Sequence, residues 1–494
     1  MITNLMIILF TNCGVLKYYF PVMFVDPDLH KGFRTSKGKN GILIGSLCCP
    51  SVRPSDGLTR PFFSGTRGDV PPVCVVSGAL ALLLRASSYA GVCPLRFTQT
   101  HDGWRPSPSA PLAAVQRLIM TIFNALMLAA FILDICQEPG QYIRIGETTL
   151  KMFVWCSDML LMMMIASVAV YMAPKRMNHL VHMLDQLRQV STELKMNPSA
   201  RNEKIKSIAI VFIPLWAASI LIADFYSFLG PLMNGKMWYI MCMYGPYYVG
   251  NFMGILVLLQ WSCAVLAVHA TVVAVNDELA TLRRAKFDLG PTTTLEDLLR
   301  PPKPERNTLV GCFTKPAKSP GNSMTLPQAQ ATIRRLAFSH ERISELMRQL
   351  NASNGVFLMF VLMSTFIRLV LTPYYLLQRF DHDERILYEL LLQINWTLFH
   401  VITLLLTIEP CHWTQEQRER TQILLSHLIV HLAPKCERLS KELDQFAKQI
   451  LLSGAKYMPL GVYTLARPLM ATILGGVTTY LVIIIQFQKI SDQL

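Results

Sequence analysis

Hydrophobic positions along this chain gather into seven runs long enough to cross a bilayer, near 118–135, 152–172, 207–229, 246–268, 355–377, 387–408 and 469–487. A helix rising about 1.5 Å per residue needs roughly 20 apolar residues to cross the hydrocarbon layer. The apolar character is continuous within each run, which predicts buried or lipid-facing helices rather than half-solvated strands. The last run is the most polar of the seven, with Gly475, Gly476, Thr478 and Thr479 inside it. Val73–Leu84 is too short to span and reads as an amphipathic or re-entrant piece. The predicted class is an all-α integral membrane protein whose principal domain covers residues 77–488.

The polar stretches between the runs carry their own periodicity. Met177–Leu194 places Leu180, Met183, Leu184 and Leu187 on one helical face, extending the second span beyond the membrane. Ile333–Leu350 does the same before the fifth span and Gln422–Leu452 before the seventh. Such extensions either pack into a bundle outside the membrane or lie on the headgroups. Residues 1–76 are expected to be poorly ordered, because 26–76 are rich in Gly, Pro, Ser, Lys and Arg without helical period. Residues 290–328, with many Pro, Thr, Ser and Lys, read as a flexible insert.

Charge sets an expected orientation. Between the second and third spans lie seven basic residues, Lys175, Arg176, Arg188, Lys195, Arg201, Lys204 and Lys206. The fourth-to-fifth connection holds twelve and the sixth-to-seventh another seven before Arg467. The alternate loops hold only Arg144 and Lys151, then Lys236, then Arg379 and Arg385. Basic loops mark the cytoplasmic side, so the N-terminus is expected in the cytoplasm and the C-terminus outside, and the extensions and the insert are expected in the cytoplasm. That is opposite to a G-protein-coupled receptor. Asn351-Ala352-Ser353 is a formal glycosylation acceptor that this orientation places inside.

Composition agrees, with 52% hydrophobic and 16% charged residues against the roughly 25% charged of soluble domains. The net charge of +14 resides in segments flanking the spans, so a nucleic-acid partner is excluded. The 12 cysteines show no metal-ligand spacing. Neither a metal nor a cofactor is implied, and no nucleophile–base constellation points to an enzyme. A transporter is expected to show matched halves with broken helices, and the chain has no such symmetry.

Near the C-terminus stands Thr479-Tyr480-Leu481-Val482-Ile483-Ile484-Ile485-Gln486-Phe487. Thr-Tyr, five hydrophobic residues and Gln-Phe resemble the signature of the insect gustatory receptors. Pro459–Leu465 is similar to the family's stretch before the last helix, Glu409–His412 also has a family look, and Ala466 departs from members with an acidic residue nearby. The resemblance extends over roughly 78–488 and is densest at the C-terminal end. It implies a multi-pass receptor of the plasma membrane, a homo- or heterotetrameric cation channel to which each subunit gives its last helix. Its partners are then a small-molecule tastant, permeating cations and membrane lipid. Pore or gate residues follow as Thr479, Tyr480, Ile483, Gln486 and Phe487. Helix spacing puts Thr479, Ile483 and Gln486 on one face, and a permeating ion needs polar partners there. Interhelical hydrogen bonding is the plainer role for the same Thr and Gln.

With the orientation above, Trp155, Asp158, Asp224, Tyr226, Tyr247, Tyr248, Tyr374, Gln393, Asn395 and Trp396 fall in or near the outer halves of their spans, with Tyr244, Asn251 and Tyr375 beside them. Aromatic walls with a few placed polar groups describe a small-molecule site, and equally an interfacial belt anchoring helices at the headgroups. Arg368 lies roughly 13 Å from the outer end of the fifth span. A charge that deep costs at least about 2.5–3.5 kcal/mol on insertion scales and demands a partner. Asp158 and Asp224 are the candidates, with Arg368 expected near the floor of the pocket. The expected ligand leans to a sugar, with a bitter compound as the alternative, and a metabotropic seven-helix receptor as the alternative of another class.

Overall fold

The computed structural model describes residues 76, 78–100, 103–136, 149–194, 200–229, 237–284, 286–288, 323–378, 386–432 and 437–491. The expectations for 1–75 and for 289–322 lie outside these residues.

A short helix, α1 (Gly78–Tyr89), leads into a hairpin of β1 (Leu95–Thr100) and β2 (Gly103–Pro108), paired antiparallel with Leu95 opposite Pro108 and Thr100 opposite Gly103. Val76 adds a bridge to Trp104 at 2.8 and 2.9 Å. The hairpin is an addition to the all-α expectation. Its strand pattern is masked in the sequence by Pro94, Pro106 and Pro108, residues that usually argue against strands.

Seven helical elements then follow the seven apolar runs: α2 (Ala110–Cys136), α3 (Thr149–Tyr171), α5 (Ala200–Leu229), α6 (Met237–Arg284), α7 (Leu326–Gln378), α8 (Ile386–Leu432) and α10 (Arg467–Ser491). Six are long and apolar enough to cross a membrane by themselves, and α3 with α4 (Ala173–Glu193) makes a seventh, bent span. The second run therefore does not continue straight. It bends by 54° at Met172, because Pro174 in the first turn of α4 has no N–H to extend the ladder. Two short strands, β3 (Lys286–Asp288) and β4 (Ser323–Thr325), pair in parallel on either side of the insert. Helix α7 begins at Leu326, so the last residues expected in the insert, 323–328, are regular structure.

Helices α6, α7 and α8 overrun the spanning length, at 48, 53 and 47 residues. The extensions of α7 and α8 meet α9 (Glu437–Ser453) at the end of the bundle where the basic residues gather. There Ile333, Leu336, Ile343, Leu346 and Met347 of α7 are buried together with Leu439, Leu443 and Phe446 of α9 and Leu425 and Leu428 of α8. The extensions pack on one another. Gln330 and Arg334 donate to Glu442, and Gln449 donates to Glu341 at 2.8 Å.

A turn of 3₁₀ helix at Pro459–Gly461 precedes α10. Leu460 there has φ +52, a left-handed conformation costly for a side chain with a Cβ. Asn351 donates to the Met458 carbonyl at 2.8 Å beside it, and the backbone passes so close to Gly355 that a Cβ there would lie 3.1 Å from the Leu460 nitrogen. Helix α10 touches α7 and α8, and none of its described residues is buried within one chain.

Candidate functional site

Arg368 is the centre of a buried polar cluster. Its Nε donates to Asp158 Oδ1 at 2.6 Å and its Nη2 to Asp158 Oδ2 at 3.1 Å, a bidentate pair between α7 and α3. Nη1 donates to Asn251 Oδ1 at 2.6 Å, and Nη2 also reaches the Tyr247 hydroxyl at 3.2 Å. That hydroxyl donates in turn to Asp158 Oδ2 at 2.5 Å. Such pairing makes a guanidinium tolerable at this depth, since charge and donors are both answered. Of the two carboxylates expected as its partner, Asp158 takes the ion pair.

Asp224 on α5 has other partners. The Tyr248 hydroxyl donates to its Oδ2 at 2.9 Å and the Trp396 indole to its Oδ1 at 3.1 Å. The two clusters meet edge-to-face through adjacent residues of α6, the rings of Tyr247 and Tyr248 lying 5.2 Å apart. Phe225 packs edge-on to Tyr248, and His400 stacks on Trp396 at 5.5 Å and 21°. Four spans thus converge through α3, α5, α6 and α7, and α8 closes the fifth side.

Below Arg368 lies a cavity of about 40 Å³, lined by Asn251, Thr365, Arg368, Phe399, His400 and Thr403 among others. A water needs roughly 10–15 Å³ on that measure, so the space holds a few waters or one protruding group of a ligand. A whole sugar ring requires the helices to separate.

The structure brings Asp158, Asp224, Tyr247, Tyr248, Arg368 and Trp396 into this site, together with Asn251. Tyr226 is exposed and packs edge-on to Phe225. Asn395 returns its amide to the Leu391 carbonyl of its own helix at 2.8 Å. Gln393 is half-buried, and its carbonyl accepts from Thr397. The side chains of Trp155, Tyr374 and Phe487 fall outside the described ones. His400, Phe399 and Thr403 were missed by sequence reasoning. Their signal was spacing, since His400 and Thr403 follow Trp396 by four and seven residues on the same helical face.

At the last helix, Tyr480 packs edge-on to Phe366 of α7 at 5.9 Å, and a Cβ on Gly476 would lie 3.2 Å from that ring. Thr479 and Gln486 are exposed on another face, and Ile483 is half-buried between the two.

Seven helical spans around a buried charged and aromatic site define a multi-pass membrane receptor. The chain belongs to the 7tm chemosensory receptor family, whose sequence profile matches residues 80–491. This is a family of receptors and not of enzymes. Among curated proteins it resembles the gustatory receptor for sugar taste 43a of Drosophila melanogaster, 29% identical over 178 residues, which is 34% of this chain and only 40% of that protein. Among solved structures it resembles the olfactory receptor OR5 of the insect Machilis hrabei, with TM-score 0.51, 10% identity, and coverage of 83% of this chain and 97% of that one. The same receptor in complex with eugenol gives a TM-score of 0.52 at the same identity and coverage. At that identity the likeness establishes the fold.

Proposed function

We propose that this chain is a gustatory receptor of the plasma membrane that opens a non-selective cation pore on binding a small polar tastant, with a sugar the favoured class. The observation that carries the reading is the arrangement along α7. Arg368 anchors the buried site, and two residues away Phe366 meets Tyr480 and Gly476 of the last helix. A ligand that pulls the Asp158–Arg368–Tyr247 cluster apart therefore moves the helix on which α10 rests. Carboxylates and tyrosine hydroxyls beside aromatic faces suit a sugar, whose hydroxyls bond to the former and whose C–H faces stack on the latter. The similarity to a sugar-taste receptor points the same way.

In this reading Thr479, Tyr480, Ile483, Gln486 and Phe487 belong to the pore or gate. Four copies place α10 at the centre, which accounts for a helix left without a buried face in one subunit. The basic end faces the cytosol, so the N-terminus is inside and the C-terminus outside. The Asn351 amide is engaged by Met458, which suits an unglycosylated cytoplasmic position. Expression of this chain alone in a calcium-imaging line, with panels of sugars and bitter compounds, tests the proposal. Sugar-evoked calcium entry that persists under G-protein blockade is expected. Responses to bitter compounds alone overturn the sugar assignment, and responses abolished by the blockade overturn the channel.

A further inference from the structure

A second cavity lies at the basic end, between α4, α6 and α7, and the tastant site has no part in it. It measures about 20 Å³, room for one or two waters as it stands, so a larger occupant requires α4 to part slightly from α6 and α7; Arg176, His179, Gln260, Trp261, Ser353 and Asn354 are among its lining. Part of its polar lining is unanswered. Gln260 is 3% exposed, and both its amide nitrogen and its oxygen lack a hydrogen-bond partner. Trp261 is 1% exposed with an unpartnered indole N–H, and Arg176 is 4% exposed with an unpartnered Nε. Native proteins leave few buried polar groups unpaired, and three around one cavity indicate a missing occupant.

Charge identifies the occupant. Arg176 gives its Nη2 to the carbonyls of Val92 and Ala169, both at 3.2 Å, and these are neutral acceptors. Among the described residues no carboxylate pairs with it. The neighbouring Cys93 thiol is pushed up to about 12 by burial, so it is neutral at physiological pH and supplies no counter-charge. A buried guanidinium without an anion is expensive. The unsatisfied groups count three donors, from Arg176, Gln260 and Trp261, against one acceptor, Gln260 Oε1.

Depth narrows it further. Arg176 follows the bend that ends the second span, Ser353 and Asn354 precede the fifth, and Gln260 lies about two turns inside the fourth. The cavity therefore reaches from the headgroup level, at Arg176, into the edge of the hydrocarbon layer, at Gln260.

We infer that this cavity is a binding site for a compact oxyanion, a phosphate held by Arg176, Gln260 and Trp261. The phosphate belongs either to an anionic lipid headgroup or to a soluble phosphate. Bound there, it ties α4 to α6 and α7 just past the 54° bend, and so stiffens the junction between the spans and the helical bundle beyond them.

The test measures the melting temperature of the purified full-length receptor in a non-ionic detergent. Dioctanoyl phosphatidic acid, dioctanoyl phosphatidylcholine and sodium phosphate are titrated separately at constant ionic strength, on the wild type, Arg176→Gln and Gln260→Leu. Gln260→Leu keeps the volume and the charge, and so remains informative if loss of Arg176 prevents folding. A saturable rise of several degrees with phosphatidic acid, at least halved in Gln260→Leu, is expected. If sodium phosphate reproduces it the occupant is the soluble anion, and if only the lipid does it is a headgroup. Equal shifts with phosphatidylcholine, or an undiminished shift in Gln260→Leu, overturn the site. So does a Gln260→Leu protein that is more stable than wild type without any added anion, since the cavity is then a water pocket.

Discussion

Arg467 grips Glu409 with two hydrogen bonds, Nε to Oε1 at 3.0 Å and Nη2 to Oε2 at 3.1 Å. The first residue of α10 is thereby fastened to α8 just past the end of its apolar run. These hydrogen bonds hold the Glu409 carboxyl below the usual carboxylate range, so the pair stays charged at neutral pH.

The clasp joins the start of α10 to α8, so weakening it shifts any equilibrium in which α10 moves against α8. Arg467 is half-exposed, so solvent screens the pair and its contribution is small. Glu409→Gln is therefore expected to shift the half-activating ligand concentration by a small factor. Concentration–response curves that superimpose on wild type count against a gating role for the clasp.

The Asp158–Arg368 pair is almost dry, with side chains 14% and 9% exposed. Removing one partner of such a pair leaves a buried charge and costs about 3–5 kcal/mol. Arg368→Gln and Asp158→Asn are each expected to reduce surface expression severely. The double variant removes both charges, keeps hydrogen-bonding amides, and is expected to recover most of the expression. Surface biotinylation of the three variants decides it, and a double variant no better than either single one means that the two charges do not act as a pair.

His340 supplies a pH dependence outside the membrane. It is buried beside Phe446 with both ring nitrogens unpartnered, and burial, aided by the positive charge of Arg418, lowers its pKa from 6.5 to about 3. Below pH 6.5 the unfolded chain takes up a proton that the folded one refuses. Stability falls with pH from 6.5 toward 3, and the full contribution is present above 6.5. The slope attributable to this residue is about 1.4 kcal/mol per pH unit. His340→Leu loses no hydrogen bond, so it is expected to match wild type at pH 7.5 and to melt at a higher temperature at pH 5. Equal losses of melting temperature on acidification in both proteins refute the assignment.

The spans were legible because continuous apolar runs admit few alternatives, and the helices beyond them because their apolar residues recur at helical spacing. What the sequence concealed was decided by contacts between distant segments. Asp158 and Asp224 are equivalent candidates for Arg368 on depth alone, and the choice follows from Tyr248 and Trp396 already occupying Asp224. The bend at Met172 was signalled by Pro174, but a Pro in the first turn of a helix and one inside a continuous helix look alike without the backbone. Pro214, Pro246, Pro373 and Pro410 all sit within helices here. The cavity at Arg176 carries no sequence signal, because Val92, Gln260 and Asn354 are far apart along the chain.

The two faces of α10 are expected to separate permeation from gating. Thr472, Gly475, Thr479, Val482 and Gln486 recur at spacings of three and four on an exposed face. Gly476 and Tyr480 face Phe366. Gln486→Leu removes the amide at the exposed face and leaves the contact with α7 intact. It is expected to change relative cation permeability, read as a reversal-potential shift of several millivolts under bi-ionic conditions, with half-activation unaltered. Gly476→Val drives a branched side chain against a ring already 3.2 Å from a bare Cβ, and overpacking of that kind costs about 1–3 kcal/mol. It is expected to move half-activation about fivefold or more with permeability unchanged. If the substitutions exchange these phenotypes, the face assigned to the ions is the wrong one.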